Sequence, residues 1–106
     1  METIAERTLE IELPGESEKG TIRVLVGKPQ TSDGETWIAS YEIRGPGPEE
    51  LVKRDLYGAD SMQALESVFR ILPLELAGYE RRGRLTCDGQ PGSGFRESPE
   101  MSGPKE

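Results

Sequence analysis

Few residues in this chain are equipped for chemistry, and each must be weighed against what a fold would ask of it. Glu10 and Glu12 flank Ile11 beside Thr8, so two carboxylates project from one side of an extended segment. Such a pair can serve acid–base work or hold a cation. No third ligand follows at a useful spacing, and a solvated strand face is the simpler reading. Cys87 is the single thiol. A nucleophilic cysteine needs a neighbour that favours its thiolate; the chain has no histidine, and Asp88 beside the thiol works the other way.

Trp37 and Tyr41 fall on one side of a strand. Two aromatic rings so placed can stack bases, but they are equally what a sheet buries under a helix, and core is the expectation. Gly27-Lys28-Pro29 lacks both the glycine spacing and the hydroxyl of a phosphate loop. Arg81, Arg82 and Arg84 form a basic cluster that suits an acidic partner or the negative end of a helix. These residues predict no catalytic, cofactor or metal site. They point to a non-enzymatic domain that acts through its surface.

The element that must organise the surface opens at Gly58-Ala59-Asp60-Ser61 and runs to about Ala77. Asp60 is the expected N-cap, its carboxylate accepting from the free N–H groups of the first turn. Gln63 is spaced to reach back to the Asp60 N–H, as in a capping box. Capping accounts for this polar cluster without an anion site, which Asp60 would itself repel. Met62, Leu65, Val68, Phe69, Leu72 and Leu76 recur at helical spacing as an apolar stripe. Pro73 predicts a kink or an early end near Leu72, and Gly78 a stop.

Upstream, Thr8–Leu13 alternates within a first strand over residues 4–13, and Thr21–Val26 alternates in a second. Pro14-Gly15 and a short polar connection predict an antiparallel hairpin. Trp37–Arg44 is the third strand, Val52–Tyr57 a weaker fourth, and Arg84–Cys87 a short fifth candidate. The fold class is therefore α+β: a two-layer sandwich of an antiparallel sheet of about four strands followed by one long helix. Leu25 and Ile38 point away from the helix-facing side, either as isolated exposed residues or as a self-association patch.

Residues 1–86 are expected to form one domain. Residues 87–106 are dominated by glycine, proline, serine and charge, with only Phe95 and Met101 clearly apolar, and read as a largely disordered tail from which Phe95 can fold back onto the domain. The formal net charge of −7, with no basic stripe, argues against nucleic acid and favours a basic protein partner. The candidate interaction surface is Glu10, Glu12, Leu25 and Ile38; the partner is another protein or the chain itself. A lone cysteine allows no internal disulfide. The absence of an apolar leader or span predicts a cytoplasmic protein away from membranes.

The third strand Trp37-Ile38-Ala39-Ser40-Tyr41-Glu42-Ile43 and the segment Gly58-Ala59-Asp60-Ser61-Met62-Gln63-Ala64-Leu65 resemble a family of small uncharacterised bacterial domains. In that family Gly-x-Asp-Ser-x-Gln-Ala-Leu opens the one long helix. Leu85–Gly89 and Gly94-Phe95 are similar to its later Leu-x-x-x-Gly and Gly-Phe, although Arg96 stands where proline is expected. The resemblance spans roughly residues 5–95. It implies bacterial origin and strands before helix, and carries no activity. Some bacterial immunity proteins share that build, an analogy of fold alone.

Overall fold

The structure, a computed structural model, describes residues 1–95. Alternation in the first two strands produces the hairpin: β1 (Thr3–Glu12) pairs antiparallel with β2 (Gly20–Gly27), placing Leu9 opposite Ile22 and Arg7 opposite Val24. After Lys28-Pro29 the chain adds a two-residue β3 (Gln30–Thr31). β4 (Trp37–Arg44) receives β2 and β3 along one side and β5 (Leu51–Gly58) along the whole of the other. Beyond the helix, β6 (Arg84–Cys87) returns to β1, and β7 (Gln90–Pro91) pairs with β6. Across the sheet the order is β5, β4, β2 continued by β3, β1, β6, β7.

The sheet therefore has seven strands rather than about four or five. β3 and β7 are two residues each, too short to show alternation in sequence. The connection between β6 and β7 is a tight turn in which Asp88 and Gly89 both take positive φ, 52° and 79°. Two such residues fit the hairpin turn whose twist matches its strands. Residues 88–95, read from composition as tail, thus continue the fold. The expectation of disorder for residues 96–106 lies outside the described residues.

Helix α1 (Ser61–Glu80) covers one face of the sheet. Asp60 caps it in extended conformation, accepting from the Gln63 N–H at 2.7 Å. The Gln63 side chain reaches back one residue further than expected, to the Ala59 N–H. Gly58 permits a close approach: a Cβ there would lie 2.8 Å from the Gln63 carbonyl carbon and closer still to the Ala64 nitrogen. The end of β5 and the first turn of α1 touch backbone to backbone.

Pro73 does not end the helix, and Gly78 does not stop it; α1 continues to Glu80 and is closed by the Arg81 N–H bonding back to Gly78 and Tyr79. An interior proline costs about 3 kcal/mol. Leu72, Leu76 and Tyr79 are buried on both sides of it, at about 1.5–3 kcal/mol for each large apolar side chain, so packing outweighs the missing bond. The buried stripe is Ala64, Val68, Leu72, Leu76 and Tyr79. Met62 and Phe69, expected on it, are exposed, and Leu65 is half-buried. Phe69 turns instead toward Phe95, with ring centroids 6.5 Å apart, and the Arg7 guanidinium lies 4.4 Å over the Phe95 ring.

Under the helix, Leu9, Ile11, Ile22, Val24, Val26, Ala39, Tyr41, Ile43 and Leu85 complete the core. Tyr41 is fully buried and Trp37 partly so, as a sheet facing a helix requires. No helix among the described residues is long and apolar enough to cross a membrane.

Candidate functional site on the uncovered sheet face

Because strand side chains alternate, burying Leu9, Val24, Tyr41 and Ile43 under α1 forces their neighbours onto the opposite face. Register then arranges these neighbours in rows. One row runs Glu6, Leu25, Glu42, Lys53 across β1, β2, β4 and β5; the next runs Thr8, Arg23, Arg44, Leu51. Arg23 leaves its own row to bond Glu6 at 2.6 and 2.9 Å, and Arg44 does the same to Glu42 at 2.8 and 3.0 Å. Both arginines thus head toward the row that contains Leu25, and their aliphatic stems flank it.

The result corrects the expected surface. Leu25 is only 4% exposed, sealed among charged side chains, and cannot serve as an apolar patch. Ile38 is 36% exposed, at the edge of a polar cleft of about 460 Å³. That cleft is lined by Met1, Lys28, Thr31, Asp33, Ser40, Lys53 and Asp55 among others. Glu2 also lines it, and two of its carboxylates, Asp55 and Asp33, are tied into the fold. Asp55 accepts from the Ser40 hydroxyl at 2.6 Å across the β4–β5 ladder. Asp33 accepts from the backbone N–H groups of Thr36 and Glu35, which hold its carboxyl below the usual range.

Glu10 and Glu12 project together as expected, but they bracket Lys19 at 3.5 and 3.8 Å, and Arg84 stands opposite Glu12 on β6. The expected acidic platform is therefore a mixed one. Glu6, Glu10, Glu12, Glu42 and Asp55 stand on this face with Lys19, Arg23, Arg44, Lys53 and Arg84, and the cleft at its end adds Glu2, Asp33 and Lys28, so acids and bases are close to equal. The chain is acidic; this face of it is balanced.

Other polar groups escaped the sequence reading. Glu75 lies on α1 over the sheet, where the Tyr41 hydroxyl donates to it at 2.6 Å and Arg54 bonds it at 3.0 and 3.3 Å. Arg54 holds the Glu75 carboxyl below its ordinary range, with Tyr41 adding to the effect. Burial, then the bond to Glu75, pushes the Tyr41 hydroxyl far above its usual range. Arg82, from the basic cluster, clasps Glu50 at 2.8 and 3.1 Å and lies over the Tyr79 ring, tying the helix end to the β4–β5 connection. The signal for Arg54 was present in the alternation, which puts a charge on the helix side of β5. Nothing local identified Glu75 as its partner. Among the described residues, no group of three or more candidate ligands is placed to hold a metal ion, and Cys87 is a free, half-buried thiol packed against the core.

The motif that opens the helix is thus accounted for atom by atom: Gly58 for close approach, Asp60 and Gln63 for capping, Ala64 for a fully buried small side chain. The pattern of one family spans these elements, matching residues 5–97; its description is a domain of unknown function, DUF6968. The chain belongs to the DUF6968 family. Neither a curated protein nor a solved structure matches it. Membership covers the sheet, the helix and the β6–β7 return, and it leaves the use of the open face to be argued from the side chains upon it.

Proposed function

We propose that this domain works by binding rather than catalysis, as a protein-interaction module of the immunity- or antitoxin-like kind, with the uncovered sheet face as its docking surface. The observation that supports this reading is the row structure of that face. Charges of both signs stand in fixed positions, held by one another and by the ladder, around a sealed Leu25. Preset charges of both signs favour a partner with the complementary pattern and penalise others, which is specificity more than affinity. The partner expected from the overall charge, a protein with a basic surface, fits this face less well than one that presents both signs.

The experiment is capture by the immobilised full chain, comparing two sets of charge reversals. Arg23→Glu and Arg44→Glu alter the open face; Glu66→Lys and Arg70→Glu alter the exposed side of α1. The reading expects the first pair to weaken capture of the same partner at least tenfold and the second to leave it unchanged. The opposite result would move the site to the helix and overturn the proposal.

A further inference from the structure

The two edges of the sheet are built differently. On one side the sheet ends in β7, two residues long and containing Pro91, which has no N–H to offer. On the other it ends in β5, eight residues without proline, paired along one side to β4 and to no described strand on the other. The Gly45 N–H donates to the Glu50 carbonyl at 2.9 Å. Hydrogen-bonded pairs alternate along an antiparallel ladder. Val52, Arg54, Leu56 and Gly58 therefore turn their backbone groups to β4, and Leu51, Lys53, Asp55 and Tyr57 turn theirs outward.

An edge of this length is a template for another strand, and its side chains say which. About Arg54 the sequence is self-complementary in an antiparallel pairing: Lys53 meets Asp55, opposite in charge, while Val52 meets Leu56 and Leu51 meets Tyr57, apolar against apolar. We infer that β5 pairs antiparallel with β5 of a second copy of this chain, on a two-fold axis through Arg54. In this register the outward backbone groups of Lys53 and Asp55 of opposite copies bond each other, as do those of Leu51 and Tyr57, the Tyr57 carbonyl keeping its second lone pair for the Ser67 hydroxyl that donates to it at 3.5 Å. The ammonium of Lys53 faces the carboxylate of Asp55 across the junction, and two exposed apolar side chains, Leu51 at 58% and Tyr57 at 60%, cover one another.

Neighbouring registers that keep the backbone bonds place Lys53 against Lys53 or Asp55 against Asp55, and are disfavoured by like charge. On the helix side this register sets Arg54 opposite Arg54, a like pair whose charge is offset in each copy by its own Glu75. Ser67 and Glu75 touch Tyr57 and Arg54 respectively, which fixes the flank of α1 beside this edge. Half-buried Ile71 and exposed Leu74 lie on that flank and add apolar area.

A charged edge is also a common guard against indiscriminate strand pairing. Here the same charges permit one register and oppose the others, and the two-fold pairing uses up the edge, so assembly closes at two. The dimer would carry one continuous sheet with both open faces on the same side. It requires no outside partner, so it stands or falls separately from the docking reading.

The test is sedimentation and light scattering on the purified full chain, with hydrogen exchange at the edge amides. The wild type should be a dimer, and the Leu51, Lys53, Asp55 and Tyr57 N–H groups should exchange more slowly as concentration rises. Lys53→Asp and Asp55→Lys should each weaken association at least tenfold through like-charge contact, and the double exchange Lys53→Asp with Asp55→Lys should restore it. Circular dichroism identifies any variant that fails to fold, in which case the exchange data on the wild type decide. A wild-type monomer at its highest soluble concentration overturns the inference. So does a dimer that both single variants leave intact, or edge amides whose exchange ignores concentration.

Discussion

The two faces of this sheet come from one alternating pattern, yet they bury their apolar residues by different physics. Under α1, Leu9, Ile22, Tyr41 and Ile43 are closed off by Val68, Leu72 and Leu76. There the excluded surface is apolar against apolar, and the close packing of an interior applies. On the other face Leu25 is nearly as inaccessible, but its neighbours across the ladder are Glu6 and Glu42, each paired with an arginine of the next row. Low accessibility is thus reached in two ways, one rigid and one adaptable, and the same exposure value hides a difference in what a mutation should cost.

That difference is tested most strongly by truncation. Leu72→Ala leaves a cavity between helix and sheet and should cost about 2–5 kcal/mol in urea unfolding, the range for buried leucines. Leu25→Ala should cost clearly less, about 1–2 kcal/mol, because long side chains can settle into the space and water can reach it. Equal losses would mean that the open face is as tightly packed as the covered one, and the comparison would fail.

Next in size is the junction where β5 meets the helix. Gly58→Ala forces a Cβ into the backbone of Gln63 and Ala64 and should cost about 1–3 kcal/mol through strain. Gly78→Ala meets nothing within 4 Å and lies inside the helix, so it should stabilise by about 0.5–1 kcal/mol. Thermal unfolding of the two variants should shift in opposite directions. A gain at both positions would remove the close-approach account of Gly58.

The covered face also contains a polar contact that can be read by pH. Tyr41→Phe removes one hydrogen bond to a charged group and should cost about 1.5–3 kcal/mol at neutral pH. Arg54 first, and Tyr41 with it, keep the folded Glu75 carboxyl below its unfolded value. Its contribution is therefore complete above the ordinary carboxylate range, near pH 4.3, and is lost as pH falls through the folded pKa. The wild type should lose stability with acid more steeply than Glu75→Gln. Parallel acid profiles would show that the carboxylate contributes nothing in its ionised form.

How far these features could be read from sequence follows from the range of the interactions that make them. Alternation and turn residues placed the hairpin, β4, β5 and β6, and the cap placed α1, because each signal lies within a few residues. Phe69 was assigned to the core by spacing, yet it turns to a residue 26 positions later. Pro73 and Gly78 carry correct local preferences that tertiary packing overrides. Leu25 had the correct face and the wrong exposure, since what covers it is decided by Glu6 and Glu42 on neighbouring strands. The balanced charge of the open face was invisible for the same reason: register, not composition, brings Lys19 between Glu10 and Glu12.

The smallest expected effects separate charge from cover on the open face itself. Lys19 lies between its two carboxylates with about half of each side chain in solvent, and exposed pairs of this kind contribute roughly 0–1 kcal/mol. Lys19→Gln should therefore change stability by less than about 0.5 kcal/mol, and the change should shrink further in salt. Arg23 has a similar pair in Glu6 but also a stem beside Leu25. Arg23→Ala should cost about 1 kcal/mol, and Arg23→Met, which keeps an apolar stem and loses the charge, should recover most of it. Recovery by methionine would assign the role of Arg23 in stability to covering Leu25. If methionine were no better than alanine, the ion pair would carry the effect, and the face would be held by its charges alone.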